Sequence, residues 1–403
     1  MSTSPFTTIE HAIETIKAGG MIILMDDENR ENEGDLVVAA DFATAEAVNF
    51  MSRFGCGLIC LSMADEMVDR LGLPMMSNNN RSPYGTAFTV SIEAANGVST
   101  GISARDRATT IAVAIDPAAT PKDVITPGHV FPLKARKGGV LERPGQTEGS
   151  VDLAKLAGLK PAAMICEIIN EDGTMSRRDD LAAFSRQHNI PMVTVRDLID
   201  YRVRREQLVT VAAKSNIPLH EYGDFTMTVF KNQLDSAEHF TLVKAPATSG
   251  QAPLVRIHSE CITGDVFGSC KCDCGEQLKQ SLALIAKQGG MLIYLRQEGR
   301  GIGLANKLKA YELQEQGLDT VEANLKLGLP ADARDYAIAF QILKFSGIDV
   351  LRLLTNNPEK VQALEKYGIQ VNERIPLTVT PSHANRNYLK TKQIKLGHFL
   401  TID

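Results

Sequence analysis

Tryptophan is absent from the 403 residues, and Phe and Tyr together make up only 5% of them. That leaves little for a nucleic-acid surface built on stacked aromatic side chains. Excess positive charge is missing too. Lys and Arg number 43 against 48 Asp and Glu, a formal net charge of −5. Such a chain has no global electrostatic reason to bind nucleic acid or a membrane surface. A site for an anionic ligand must be built locally, from clustered Arg, Lys and backbone N–H groups. No run approaches the ~18 apolar residues of a membrane span. Met1 to Thr8 is polar, without a charged stretch leading into an apolar one, so no secretory signal is read there and a cytoplasmic address is expected.

Apolar residues at 44% and charged residues at 23% are ordinary for a soluble globular protein. At ~100–200 residues per domain the length suggests two or three domains. There are seven cysteines, and Cys261, Cys270, Cys272 and Cys274 fall close together. In a chain of this class such a cluster reads as metal-binding or redox-active before it reads as disulfides.

Strand and helix patterns alternate in both halves, with no repeats. Helices are expected over Ile9 to Ala18, Arg178 to His188, Glu276 to Gln288, Leu304 to Gln316, Ala333 to Phe345 and Pro358 to Tyr367. A further helix should begin at Val151 to Leu156. Short apolar strands are expected at Met21 to Met25, Asp35 to Ala40, Ala163 to Ile169, Met192 to Val195, Phe240 to Lys244, Leu254 to His258, Met291 to Leu295 and Leu351 to Leu354. The pattern implies an α/β fold of α+β layers in two domains. The Arg- and Asp-rich segment Leu198 to Leu208 looks helical, with Asn216-Ile-Pro218 as its breaker. The boundary is placed there, giving domains 1–205 and 206–403.

In the second half, Cys261 is followed after ten residues by Cys272-Asp-Cys274. Zinc prefers thiolate sulfur in tetrahedral geometry, and a Cys-x-Cys turn can place two thiolates on one metal. Three protein ligands leave a fourth position open, the pattern of catalytic zinc. With Cys270 as a fourth ligand the site would instead be closed and structural. A zinc knuckle of a binding protein is a third reading, which the negative charge opposes. Arg296-Gln-Glu298-Gly299-Arg300-Gly301-Ile-Gly303 follows a strand. Glycines there let backbone approach an anion, and Arg300 adds a planar fork suited to phosphate. Ala331-Asp332-Ala-Arg334-Asp335 reads locally as a helix N-cap. Thr355-Asn356-Asn357-Pro358-Glu-Lys360 is either a plain turn or a ligand loop at a strand's end.

Taken in order, Arg256-Ile-His-Ser-Glu-Cys261, Cys272-Asp-Cys-Gly275, Arg296-Gln-Glu-Gly-Arg-Gly-Ile-Gly303 and Leu354-Thr-Asn-Asn-Pro358 closely resemble GTP cyclohydrolase II, from about Pro218 to about Leu377. The resemblance implies Cys261, Cys272 and Cys274 as zinc ligands. It implies GTP contacts from Arg256, Ile257, His258, Ser259, Glu260, Gln277, Glu298, Gly299, Arg300, Thr320, Thr355 and Lys360. Asp332 matches the proposed proton acceptor and Arg334 the residue proposed to attack the α-phosphate. Tyr311 stands where the family has a tyrosine near the reacting ring. The implied reaction converts GTP to 2,5-diamino-6-(5-phosphoribosylamino)pyrimidin-4-one, formate and pyrophosphate, with Mg²⁺ on the triphosphate. Cys270-Lys271 departs from the family's usual Leu-Arg.

The first half carries a dense carboxylate loop, Asp26-Asp-Glu28-Asn-Arg30-Glu31-Asn-Glu33-Gly34-Asp35, suited to Mg²⁺ or simply to solvent. With Gly97-Val-Ser-Thr-Gly-Ile-Ser103, Gly128-His-Val-Phe-Pro-Leu133 and Cys166-Glu167-Ile-Ile-Asn170, it resembles 3,4-dihydroxy-2-butanone 4-phosphate synthase over about residues 5–203. Bifunctional riboflavin biosynthesis proteins join these two enzymes in one chain. The resemblance implies ribulose 5-phosphate as substrate, with Arg30, Glu31, Asp35, Arg143, Thr147 and Glu167 at functional positions and Glu31 a magnesium ligand. It also implies a homodimer. Gln146 stands where the family's second metal-binding residue is histidine. Cys56 replaces a usual arginine, and Gly149-Ser150 two common alanines. An amide oxygen can ligate Mg²⁺ but carries no proton near neutral pH. The sequence therefore leaves two readings of the first half: a working synthase with an unusual metal shell, or a silent dimerisation scaffold.

Overall fold

The computed structural model describes residues 5–245, 250–377 and 381–400. The chain divides into two compact units, Met1–Arg202 and Val203–Asp403. The division falls within the helix Val195–Arg205.

The first unit is built on a seven-stranded sheet. Its strands are β1 (Ile22–Met25), β2 (Gly34–Ala39), β3 (Cys60–Met63), β4 (Ile92–Ala94), β5 (Val124–Lys134), β6 (Ala162–Glu167) and β7 (Met192–Thr194), in the order β4-β5-β3-β6-β2-β1-β7. β1 pairs parallel with β7 and antiparallel with β2. Every residue of β1 is buried, because both faces of the sheet are covered. Ile22 and Leu24 join one apolar cluster with Ile9, Ile13, Ile16 and Leu153; Ile23 and Met25 join another with Met51, Met63 and Ile111. The continuous apolar run is thus a two-sided strand. The helix Ile9–Lys17 buries Ile9, Ala12, Ile13 and Ile16, one stripe at helical spacing, and the Thr8 hydroxyl caps it by accepting from His11 N.

The second unit has its own seven-stranded sheet: β8 (Val209–Leu219), β9 (Gly223–Asn232), β10 (His239–Lys244), β11 (Leu254–Ser259), β12 (Gly290–Leu295), β13 (Val350–Leu354) and β14 (Gln370–Ile375), in the order β14-β13-β11-β12-β10-β9-β8. β14, β13, β11 and β12 are parallel, and β10, β9 and β8 continue the sheet antiparallel. In the parallel part the carboxyl ends of β11, β12 and β13 lie side by side, the place where such sheets hold ligands.

Two expectations are corrected. Asn216-Ile-Pro218 does not break a helix; it lies in β8. Pro218 is tolerated because β8 is the outermost strand and its outer edge needs no ladder hydrogen bond. The helix expected from Ala333 starts at Ala337, so Asp332 is not its N-cap.

Gly290 holds φ at +140°, and a Cβ there would lie 2.2 Å from the Leu254 carbonyl oxygen. Any side chain must push β12 away from β11. A backbone value of this kind costs a non-glycine residue ~1–3 kcal/mol even without the clash. Gly290→Ala should therefore lower the melting temperature of the second unit by at least ~2 °C, given ~2–4 °C per kcal/mol at this size. Calorimetry on the full chain checks this, and an unchanged transition would contradict the close packing.

Candidate active sites

In the second unit, β11 ends in Ser259-Glu260-Cys261, a short helix Ile262–Asp265 turns the chain, and Cys272-Asp273-Cys274 leads into the helix Cys274–Gln288. The three cysteine sulfurs all lie within 4.8 Å of one another, and Cys261 and Cys272 are 3.6 Å apart. Two thiolates on one tetrahedral zinc at ~2.3 Å stand about 3.8 Å apart, so the sulfurs fit such a centre. Gly264 makes room for them: a Cβ there would fall 2.8 Å from the Cys272 sulfur and 3.2 Å from that of Cys261. Cys270 is exposed and lies outside the group.

Hydrogen bonds from Cys272 and Cys274, then the Lys307 ammonium, hold the Cys261 thiol far below its usual range. Cys272 is pushed up to about 11 by its bond with Cys261, and Cys274 rises as well. Three thiolates this close would repel one another, and a cation among them relieves that repulsion. Second partners fix the cluster. Lys307 Nζ lies 3.1 Å from the Cys261 sulfur and donates to Glu298 Oε1 at 2.8 Å. The Asp265 carboxylate accepts from Cys261 N, from Tyr294 Oη at 2.8 Å, and is 3.0 Å from His258 Nε2.

The same pocket is crowded with positive charge. Arg256, Arg300, Arg334, Lys360 and Lys392 all line it. Burial lowers Arg256 to about 10. Burial, then Arg256, Arg334 and Lys392, drives Lys360 well down. His398 falls to about 3 through burial and the nearby Lys392, Arg334, Arg300 and Lys360. Gly299 and Arg300 both take φ of +62°, which swings this loop onto Ala333, whose N–H donates to the Arg300 carbonyl. Four buried polar atoms of the pocket's lining residues lack a partner: Arg256 Nε, His258 Nδ1, Ser259 Oγ and Asn357 Nδ2. Buried polar groups are rarely left so, and four on one pocket mark a place for a polar ligand.

The first unit gathers the opposite charge. Asp35 on β2 is the cross-strand neighbour of Glu167 on β6. Burial raises the Asp35 carboxyl well above its usual value, and Glu167, Glu31, Glu33 and Asp26 raise it further. Burial lifts Glu167 and Glu33 too. Arg30 sits among them, donating to Asp26 and Glu31 at 2.7 Å and to Gln146 Oε1 at 2.9 Å. Arg143 donates to Glu148 and Thr86. Thr147 is buried in the first turn of the helix Gln146–Leu156. The Ser150 hydroxyl lies 2.6 Å from that of Ser62, so this departure fills a buried hydrogen-bonded pair.

The 3,4-dihydroxy-2-butanone 4-phosphate synthase family matches residues 10–201, and the GTP cyclohydrolase II family matches residues 210–376. The chain is 53% identical over 398 residues to "Riboflavin biosynthesis protein RibBA" of Bacillus mycoides strain KBAB4, covering 98% of this chain and 100% of that protein. It is 54% identical to the protein of that name from Aquifex aeolicus strain VF5, covering 98% of each. The chain belongs to the RibBA family of riboflavin biosynthesis proteins. It is a bifunctional enzyme, a hydrolase as GTP cyclohydrolase II and a lyase as the synthase. Among solved structures, RibBX, a two-domain 3,4-dihydroxy-2-butanone 4-phosphate synthase from A. baumannii, matches with a TM-score of 0.70 and 36% identity over 93% of this chain and all of that one. These matches do not favour the first unit as a mere scaffold, nor a zinc-knuckle protein. No helix among the described residues is long and apolar enough to cross a membrane.

Of the RibBA residues expected at the second site, Arg256, His258, Ser259, Glu260, the three cysteines, Gln277, Glu298, Gly299, Arg300, Tyr311, Thr320, Arg334, Thr355 and Lys360 line one pocket. Ile257 does not; its side chain is buried core, and its carbonyl accepts from Lys360 Nζ at 2.8 Å. Asp332 is absent from the lining and pairs closely with Arg334. Lys307, Asn324, Tyr388, Lys392 and His398 line the pocket without having been read from the sequence, while Asn356 and Asn357 of the loop read as a possible ligand loop line it too. Helical spacing from Tyr311 could have found Lys307. Nothing local marks Lys392 or His398.

Two outcomes follow. Gly264→Ala should open the sulfur cluster without touching a ligand, so cobalt-substituted protein should lose thiolate-to-cobalt absorption; an unchanged band would mean that the cluster has slack. At the first site, carboxyls with raised pKa stabilise least at high pH: their contribution is fullest below the ordinary carboxylate range and is lost as pH rises through the raised values. Mg²⁺ should therefore raise the first unit's melting temperature more at pH 8 than at pH 5. Equal gains would show that the cation sits elsewhere.

Proposed function

We propose that the pocket of the second unit takes GTP beside a zinc ion held by Cys261, Cys272 and Cys274. The observation that carries this is the set of four unpartnered buried polar atoms among six cationic side chains, next to three sulfurs that fit a single metal. Zinc, when bound, supplies Lewis acidity and lowers the pKa of bound water. The protein's own groups do the rest. Arg300, Arg334 and Lys360 take the triphosphate charge, with Mg²⁺ on its oxygens. Arg256, Ser259, Gln277 and Thr355 offer hydrogen bonds that orient the nucleotide, and Glu298 fixes the turn after Cys261 by accepting from Ile262 N. Asp332 stays ionised because the Arg334 pair outweighs its burial, the form a proton acceptor needs. Arg334, oriented by that pair, is held for the α-phosphate. Tyr311 walls the pocket beside Lys307 and Lys271. The exposed position of Cys270 supports a three-cysteine site with an open fourth position.

The first unit, in this reading, takes ribulose 5-phosphate and Mg²⁺. Glu31, Asp35 and Glu167 supply the carboxylates, Arg30 and Arg143 the cations for a sugar phosphate, Thr147 a hydroxyl, and Gln146 an amide oxygen to the metal shell. A cation there offsets the repulsion that raises Asp35 and Glu167. The protein works as a cytoplasmic homodimer in this reading, which sedimentation of the full chain tests.

Formate release is the decisive assay, with GTP and with ribulose 5-phosphate in turn. Both substrates should yield formate. Gln146→His should speed the ribulose 5-phosphate reaction, by up to ~10²-fold if the imidazole acts as a proton carrier. Formate from GTP alone would return the first unit to a scaffold role, and formate from neither would overturn the reading.

A further inference from the structure

The GTP cyclohydrolase II family match ends at residue 376, yet the pocket continues beyond it. The helix Arg386–Leu396 follows, and Gly397 at φ +62° ends it in a left-handed cap. Polar contacts dock the segment on the second unit. Lys395 pairs with Asp319 and Glu322, Phe399 N donates to the Asn356 carbonyl at 2.9 Å, and the Arg374 guanidinium lies over the Phe399 ring. Tyr388, Lys392 and His398 then reach the pocket.

Lys392 is the unusual member. It is only 7% exposed, and its ammonium donates to Asp273 Oδ1 at 2.6 Å. Asp273 is itself buried and stands between Cys272 and Cys274. Its other oxygen accepts from Gln277 Nε2 at 2.6 Å, and Gln277 Oε1 accepts from Arg256 at 2.7 Å. One line of polar contacts thus runs from the C-terminal helix through the metal turn to a buried guanidinium of the nucleotide pocket. A buried ammonium needs a specific carboxylate, and a buried carboxylate left alone is costly.

We propose that the C-terminal helix is a wall of the GTP site and that Lys392 is its positioning residue: through Asp273 it holds the Cys272–Cys274 turn, and through Gln277 it aims Arg256. The inference rests on the zinc and GTP reading of this pocket. Groups that orient metal ligands typically change metal affinity by ~10–100-fold when removed.

The test uses the full chain with zinc, comparing wild type, Lys392→Met, Asp273→Asn, the double variant, and Lys395→Gln as a control for docking of the helix. Zinc retention against a competing chelator is read first, then KM and kcat for GTP at saturating zinc. Lys392→Met and Asp273→Asn should each loosen zinc by ~10–100-fold, with the double variant no worse than either single. KM should rise about tenfold with kcat changing much less, as loss of substrate positioning demands. Lys395→Gln should change neither. Unaltered zinc retention in Lys392→Met, additive losses in the double variant, or equal loosening by Lys395→Gln would each overturn the proposal. Should Lys392→Met fail to fold, Asp273→Asn decides alone: loosened zinc supports the proposal and unaltered zinc overturns it. Wild type that holds zinc but leaves GTP untouched would sink the GTP reading while the zinc comparison still stands.

Discussion

Three sulfur atoms packed within 4.8 Å of one another set the terms for the second unit. Their closeness is possible only because Gly264 has no Cβ, and it is tolerable only because positive charge is near. Lys307 supplies that charge at Cys261, and Glu298 in turn holds Lys307. Glu298 also accepts from Ile262 N and so fixes the loop that starts at Cys261. The glycine-rich turn after β12 is thereby tied to the sulfur cluster as well as to the cationic part of the pocket. A change at one end of this pocket must be felt at the other.

The two units solve opposite electrostatic problems with similar scaffolds. Each buries an excess of one sign at a sheet, where low dielectric strengthens every interaction. In the first unit the excess is negative, and burial together with it pushes Asp35 and Glu167 toward their neutral forms. In the second it is positive, and it pushes Lys360 and His398 toward theirs. Neither arrangement is favourable for folding by itself. Each becomes favourable with a ligand of the other sign, a cation for the first and a polyanion for the second. The net charge of −5 hides this division entirely.

Elements with a strong local pattern were legible in the sequence. The helix Arg178–His188 has acidic residues in its first turn, basic residues in its last and Asn189 in a left-handed cap, so its bounds could be read directly. The buried strands β1, β11 and β12 showed as short apolar runs. β8 did not, because it is an outer strand exposed over most of its length and has no apolar alternation to betray it. The cysteine triad was legible because Cys-x-Cys is a local signal. Lys392 was not, because its meaning lies in a carboxylate 119 residues earlier. Ile257 was read with its whole motif; in a strand, alternate residues face opposite ways, and its side chain lies in the core while its neighbours Arg256 and His258 line the pocket.

Gln146 shows how far such reasoning about one substitution can go. Its amide oxygen accepts from Arg30, and its nitrogen lies 3.5 Å from the Glu33 carbonyl. The side chain is therefore held among the loop carboxylates and presents an oxygen there. What it lacks is a proton to exchange. That lack matters only if no neighbour can supply one. Asp35 and Glu167 face each other across β2 and β6; burial raises both, with Glu167 adding to the rise of Asp35 and Glu31 to that of Glu167. A carboxyl whose pKa is raised holds a proton more readily than an ordinary one, the direction a proton-carrying role calls for. The first site thus holds two carboxyls of raised pKa besides Gln146, in agreement with the bifunctional character of the family.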